Sequence, residues 1–482
     1  MKKNGKKYRK LQKEKEQKKN RSNHLNIKIC QEVDDVNTAC LAMAHIITYN
    51  PIIKDSAAHK AEYLEKLNAY LKAVKWNRRK YESAEMEAYE KIIMGAADVE
   101  ECHDLPYYQY YILFDFMNML AYDFKPADLE KLQIVKERYC IDFADSIDTA
   151  LVDKIFKAAA HPVRKMKQLL KEPRLTKENG YIQLIQKNIQ FRKKEPVGVL
   201  VTATMSAGKS MIINALAGKY ICLSQNLACT SKIHCIVNKA FEDGFSAEYD
   251  HELVLAAGKE ELLNDNELNA SDKIVVSTSF TGGLAGQRLI INDSPGVNYS
   301  GDERHKQITE RLIKGKNYHL LIYIMNATQL GTNDESEHLD YVKKYVGHIP
   351  ILFIVNKIDE FNEDEEDIGA AIKQQIKMLE QKGFHNPVVC PVSARAGYLA
   401  KQFKVNKKLS RTEERELYQY VDKFEKMKLT GYYDKMFQNI KVADAENEEA
   451  QLLKTCGLAY VEKIIIAMCK GGNKNGSGKR TL

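Results

Sequence analysis

Apolar positions recur along this chain in two rhythms, and the change between them falls near Pro196. From residue 26 to 190 the rhythm is helical. In Ala61–Arg78 (AEYLEKLNAYLKAVKWNR), Tyr63, Leu64, Leu67, Tyr70, Leu71 and Val74 fall on one stripe at the 3.6-residue period. Tyr107–Tyr122 is apolar and aromatic almost throughout, which predicts a helix buried in the middle of a bundle. Pro51, Pro106, Pro126 and Pro162 stand near the predicted helix ends. The pattern predicts an all-α bundle of about five to seven helices, with its aromatic clusters in the core. It shows no catalytic constellation.

A helix at Tyr181–Arg192 leads into Pro196, and continuous apolar runs then alternate with amphipathic stretches. Val197–Ala203, Arg288–Asn292, Tyr318–Met325, Ile349–Val355 and Val388–Val392 are predicted strands; Lys209–Leu216, Glu335–Val346 and Ile368–Lys382 are predicted helices between them. Strands this continuously apolar, separated by helices, imply a mainly parallel sheet covered on both faces. The expected fold class is therefore an α/β domain preceded by an all-α helical domain. The expected boundaries are a basic disordered tail at 1–25, the helical bundle at 26–190 and the α/β domain at 191–405. C-terminal helices follow at 406–470, packing on either domain, and a Gly/Asn/Ser-rich flexible tail closes the chain at 471–482. The apolar stretch VEKIIIAMC near the end is predicted to be a helix folded back on the core.

Composition changes the picture at the termini. The formal charge is +8, yet residues 1–23 alone carry +9 and residues 470–482 carry +4, so the body between them is acidic at −5. A general nucleic-acid-binding fold is not implied, and no KH or OB signature is present. The basic N-terminal run suits an anionic membrane surface or serves as a solubilising tail. With 44% hydrophobic residues the chain can bury a large core. No apolar window is long enough to span a bilayer, and the Lys-rich start has no apolar signal region. None of the ten cysteines forms a C-x-x-C pair, so reduced thiols in a cytoplasmic protein are expected, with peripheral membrane contact as the alternative to a free one.

Five segments carry chemistry. The first, VGVLVTATMSAGKSMIINALAG, reads strand, turn, helix. Ser206, Ala207, Gly208, Lys209 and Ser210 are the distal half of a phosphate-binding loop, and the backbone through Met211 belongs to the same cradle. Small residues let amide hydrogens curl round a β-phosphate while the helix points its positive end at it. Lys209 would neutralise β/γ oxygens and Ser210 would give its hydroxyl to Mg²⁺. The first glycine of the formal G-x-x-x-x-G-K-[ST] motif is Ala203 here. The second segment, Asp293-Ser294-Pro295-Gly296, follows an apolar strand. Asp293 would hold Mg²⁺ through water, and the Gly296 amide would bond the γ-phosphate.

The third segment, Asn356-Lys357-Ile358-Asp359, is the most specific. The Asp359 carboxylate would accept from guanine N1–H and the 2-amino group; adenine offers neither donor there. Asn356 would brace the loops, and Lys357 would lay its stem on the base. The fourth, Ser393-Ala394, would offer backbone amides to guanine O6. The fifth is a threonine in LSQNLACTSKIHCIV: Thr230 is the candidate second protein ligand of Mg²⁺ on a switch loop, with Ser231 as its rival. Together these predict a GTP-binding P-loop domain that hydrolyses GTP.

The segments TMSAGKSMIINALAG, ACTSKI and DSPG resemble bacterial members of the dynamin superfamily over about residues 196–400, less than half of the chain. The resemblance implies a dynamin-type GTPase domain, Mg²⁺ dependence and homodimerisation or higher assembly across the nucleotide face that stimulates hydrolysis. It places on Ser206 the loop serine that helps position a charge-compensating monovalent cation, so Lys209, Ser206 and Thr230 are the candidate catalytic set. The position used elsewhere in the superfamily for a water-orienting glutamine is Met205 here, and Val297 follows Gly296. Fewer than ninety residues follow Ala394, too few for the long stalk and paddle of membrane-remodelling relatives. Two alternatives stand beside the dynamin-like reading: a nucleotide switch with negligible hydrolysis that regulates a partner protein, and an RNA- or ribosome-associated GTPase.

Overall fold

The computed structural model describes residues 50–74, 82–95, 102–120, 129–192, 194–222, 233–242, 244, 246–249, 253–254, 257–258, 273–295, 303–361, 368–405 and 409–471. Its first part is helical: α1 (Ala57–Ala73), α2 (Glu82–Gly95), α3 (Gln109–Leu120), α4 (Leu129–Asp142), α5 (Thr149–Ala159), α6 (Pro162–Leu169) and α7 (Asn179–Arg192). The stripe expected on α1 is the buried one, with Tyr63, Leu64, Leu67, Tyr70 and Leu71 all inside. Ser56 caps that helix by accepting from the His59 amide at 3.3 Å, so it begins four residues before the predicted start. Pro51 and Pro106 lie in short 3₁₀ turns and Pro162 is the first residue of α6, positions where a missing amide hydrogen costs nothing. Pro126 lies outside the described residues.

The aromatic α3 runs through this core, and it carries a carboxyl group. Asp115 is buried and accepts from the Tyr63 and Tyr181 hydroxyls and, at 3.0 Å, from Asn50 Nδ2. Burial pushes its carboxyl up to about 7 despite those donors.

After α7 the chain forms a nine-stranded sheet. Its strands are β1 (Val197–Ala203), β2 (Ile233–Asn238), β3 (Ala247–Tyr249), β4 (Leu253–Val254), β5 (Lys273–Thr278), β6 (Leu289–Asp293), β7 (Leu320–Asn326), β8 (Ile351–Asn356) and β9 (Val388–Val392), in the order β4-β3-β5-β2-β6-β1-β7-β8-β9. β6, β1, β7, β8 and β9 are mutually parallel, whereas β2 runs antiparallel to β6 and β3 antiparallel to β5. The five strands predicted from apolar runs are these five parallel ones, each within two residues of its expected bounds. The other four extend the sheet beyond β6. They are short or sit among polar residues, so they lack the long apolar signature of strands buried on both faces.

Helices α8 (Lys209–Ala217), α9 (Glu303–Gly315), α10 (Asn333–Val346) and α11 (Ile368–Gln381) connect the strands. Five more follow: α12 (Ala394–Lys404), α13 (Arg411–Met427), α14 (Leu429–Met436), α15 (Glu448–Thr455) and α16 (Leu458–Gly471). Their inward residues belong to the same core as the sheet: Leu417, Phe424, Tyr433, Leu452, Val461, Ile464 and Ile465 are buried with Val201, Ile322 and Ile354. The helical part has its own separate core. The apolar VEKIIIAMC stretch lies on α16, whose Tyr460 stacks on Tyr433 at 4.3 Å between ring centroids.

One buried ion pair fastens α16 to α12, beside the end of α8 and the turn at 281–283. Lys401 of α12 donates to Glu462 Oε1 at 2.5 Å, to the Leu216 carbonyl at 2.9 Å and to the Thr281 carbonyl at 3.1 Å. Glu462 Oε2 accepts the Gly283 amide at 2.9 Å. Both side chains are almost wholly buried, at 2% and 6% exposed. Removing one partner leaves the other charge stranded in the interior, which costs far more than removing both. Lys401→Met is therefore expected to destabilise the α/β part by about 3–5 kcal/mol in urea denaturation, and the double change with Glu462→Met to recover part of that loss.

Candidate functional site

Four of the five sequence segments converge on the C-terminal ends of the parallel strands, where an open α/β sheet leaves its crevice. β1 is buried to its last residue; Ala203, standing where the motif has glycine, is fully buried. The loop then turns through Ser206, whose φ is +60°, and Gly208, whose φ is +84°. Gly208 is required twice over. Its left-handed backbone disfavours any side chain, and an added Cβ would lie 2.3 Å from Asn356 Nδ2. Helix α8 starts at Lys209 with its first amides facing the loop. Ser206 and Met205 stand at the exposed rim, Met205 with 44% of its surface open. Ser210 is half-buried in the first turn, and Met211 packs partly against the core.

Asp293 closes β6 directly beside this loop, and Lys209 Nζ forms an ion pair with its carboxylate; both are largely buried. The turn that follows is held from two sides. The Ser294 amide donates to the Val201 carbonyl at 3.2 Å, and Thr309 of α9 donates its hydroxyl to the Pro295 carbonyl at 2.8 Å. Beneath the loop, Thr202 Oγ1 lies 2.9 Å from His338 Nε2. Burial pushes the His338 imidazole down to about 4, so it is neutral at pH 7 and adds no charge under the phosphate cradle.

Asn356 ends β8 and bonds to two loops. Its Nδ2 donates to the Ala207 carbonyl at 3.0 Å, and its Oδ1 accepts the Ala394 amide at 3.1 Å. Lys357 takes a left-handed φ of +68° and pairs with Glu360 at 3.0 Å. Asp359 sits half-buried in the 3₁₀ turn Ile358–Glu360.

The Ser393–Ala394 expectation needs correction. Both amides predicted to face guanine O6 are engaged within the protein: Ser393 donates to the Cys456 carbonyl at 3.0 Å, and Ala394 to Asn356. Ser393 is also the fully buried N-cap of α12, its hydroxyl accepting the Ala396 amide at 3.1 Å. These two residues fasten the loop rather than present free donors. Thr230, its rival Ser231, and Gly296 lie outside the described residues.

Sequence reasoning expected helices here but missed what α13 does at this corner. Lys423 of α13 donates to the Asp359 carbonyl at 2.8 Å and the Phe361 carbonyl at 2.6 Å. The Tyr420 hydroxyl lies 3.5 Å from Asp359 Oδ2 and donates to Glu416 at 2.8 Å. Arg395 grips Glu416 through two bonds of 2.9 and 2.7 Å. Nothing in the local sequence of an amphipathic, charged helix distinguishes these from solvated positions.

A sheet of this topology, with a phosphate loop, a strand-end aspartate and a braced Asn-Lys-x-Asp turn in register, defines a P-loop GTPase domain. The family model described as the dynamin family matches residues 199–358, about a third of the chain, and this segment is similar to the domain that model describes. Comparison with curated proteins gives no match. Among solved structures, the chain is similar to Era in complex with MgGDPNP and 16S ribosomal RNA nucleotides, at 13% identity and a TM-score of 0.26 over 42% of this chain and 52% of that one. It is also similar to Aquifex aeolicus Era bound to GDP and aluminium fluoride, at 13% identity and a TM-score of 0.25 over 44% and 57% of the two chains. Bacterial selenocysteine-specific elongation factor EF-Sec gives 16% identity and a TM-score of 0.25 over 44% and 28%. The chain thus spans about half the length of the Era structures.

Gly208→Ala is expected to weaken fluorescent guanine-nucleotide binding by at least about tenfold while leaving the circular dichroism spectrum intact, since strain and steric conflict meet at one backbone position. Gly431→Ala is the control, because an added Cβ there meets nothing within 4 Å.

Proposed function

We propose that this protein binds GTP with Mg²⁺ and hydrolyses it to GDP and phosphate, and that its nucleotide state drives self-association through the GTPase domain. The observation that carries the reading is the bridge made by Asn356, which ties the phosphate loop at Ala207 to the Ser393–Ala394 loop three residues before Asp359. Phosphates would lie against the amides of Ser206–Met211, with Lys209 exchanging its bond to Asp293 for β/γ oxygens. The base would lie between Lys357 and the Asp359 turn.

The donor set suits a hard divalent cation: a hydroxyl at Ser210 and a carboxylate at Asp293, oxygen ligands on adjoining elements. Those two residues, with Thr230, would hold Mg²⁺, and when bound it offsets phosphate charge. Ser206, exposed at the tip of the loop, is where a charge-compensating monovalent cation would be positioned.

No helix among the described residues is long and apolar enough to cross a membrane. Membrane contact would therefore fall to the basic N-terminal run, as a peripheral attachment of a cytoplasmic protein to anionic lipid. The second reading, a switch with negligible hydrolysis, is favoured by Met205, a thioether at the exposed rim where a water-orienting amide would stand. A partner chain supplying the missing group reconciles that residue with turnover.

Asp359→Asn is expected to lower GTP affinity by roughly a hundredfold and to raise affinity for xanthosine triphosphate, whose 2-oxo group accepts from the new amide, in competition binding. Specific GTPase activity is expected to rise with protein concentration; constant activity over a wide series would refute hydrolysis by association, and no GDP after prolonged incubation would establish the switch.

A further inference from the structure

From the bonds that α13 makes to the Asp359 turn, and resting on the guanine-binding reading above, we infer that Lys423 and Tyr420 are positioning residues for base selection. Their chemistry reaches the base only through Asp359.

The sequence builds α13 firmly. Ser410 and Glu413 form a reciprocal capping box, with the Glu413 amide donating to Ser410 Oγ at 3.3 Å and the Ser410 amide donating to Glu413 Oε2 at 3.0 Å. Leu417 and Phe424, two turns apart, are buried in the core and fix the rotation of the helix. That rotation aims Glu416, Tyr420 and Lys423 at the two loops of the base corner.

Lys423 acts on the main chain. Its ammonium bridges the carbonyls of Asp359 and Phe361, on either side of the end of the 3₁₀ turn. Those carbonyls point to the helix side, so the turn has one orientation in which its carboxylate can face a base. Tyr420 acts on the side chain. A phenol has one hydrogen, and at 2.8 Å it goes to Glu416; Asp359 Oδ2, 3.5 Å away, packs beside the phenolic oxygen rather than receiving a full bond. The position of that phenol is fixed in turn by Arg395, whose planar fork grips Glu416 one residue after the Ser393–Ala394 loop. Arg395, Glu416 and Tyr420 are therefore bonded in series, with the phenol packed against Asp359, and they relate the two base-side loops through a helix that lies beyond the segment matched by the family model.

Selection of guanine depends on two coplanar bonds from Asp359, to N1–H and to the 2-amino group. Inosine triphosphate keeps the first donor and lacks the second, so the ratio of GTP to ITP affinity reads how well the carboxylate is aimed. A merely structural role for α13 would weaken both nucleotides alike. In competition binding, Lys423→Ala is expected to lower the GTP-to-ITP affinity ratio about five- to tenfold, Tyr420→Phe about two- to threefold, and Lys423→Arg to restore most of the wild-type ratio. An unchanged ratio in both Lys423→Ala and Tyr420→Phe would overturn the inference while leaving guanine binding intact. Should Lys423→Ala not fold, as judged by thermal melting, the Tyr420→Phe and Lys423→Arg ratios decide alone. Asp359→Asn run in parallel separates the two levels: if it does not exchange GTP for xanthosine triphosphate, the base reading falls and the inference falls with it.

Discussion

The arrangement of the site depends on one buried side-chain amide. Asn356 has two hydrogen-bonding ends and uses each on a different loop: Nδ2 on the carbonyl of Ala207 and Oδ1 on the amide of Ala394. Neither loop carries regular structure that would hold it against the other. With the asparagine 2% exposed, water does not compete for these bonds, and each group left unpaired costs about 1–3 kcal/mol. The bridge also decides the residue at 208. Only a residue without a Cβ allows the amide to approach, and only glycine accepts the left-handed turn at no steric cost.

The rest of the site follows from where the parallel strands stop. β1, β6, β8 and β9 deliver their chemistry at their C-terminal ends, so Lys209, Asp293, Asp359 and Ser393 meet along one edge although they are far apart in sequence. The Lys209–Asp293 ion pair supplies the charge balance of the cradle. Each of these two groups would otherwise face its own desolvation cost, and a phosphate with its cation, in the reading proposed above, would replace one pairing with two. His338, neutral below the loop, leaves that balance undisturbed.

Much of this was legible in the sequence because the parallel strands are buried on both faces and read as unbroken apolar runs. The phosphate loop, Asp293 and the Asn356–Asp359 turn follow such runs, and their residue types admit few other uses. The extension β2 to β5 escaped notice: β3 and β4 have only three and two residues, and β2 and β5 mix polar with apolar positions, so no unbroken apolar run marks them. The roles of Ser393 and Ala394 were read from position alone. Their amides are taken by Cys456 and Asn356, and a bond to a carbonyl more than sixty residues downstream has no local signature. Lys423 and Tyr420 were illegible for the same reason. A lysine on a charged helix looks solvated until the partner carbonyls are placed by the fold.

Those long-range bonds bear on what moves. The C-terminal helices hold the α/β part at three separated points: Lys423 at the Asp359 turn, Cys456 at the Ser393 loop, and the Lys401–Glu462 pair at the far end of the phosphate helix and the Gly283 turn. Hydrogen bonds to charged groups are worth about 1.5–3 kcal/mol each, and breaking a buried ion pair one-sidedly costs more. Reversing a two-state equilibrium from one extreme to the other takes about 5.5 kcal/mol of differential binding. Swinging α13 to α16 away from the sheet would break several such bonds at once and consume more than that. Any rearrangement driven by bound nucleotide would thus be cheaper elsewhere, because residues 411–471 are held to the α/β part by these bonds.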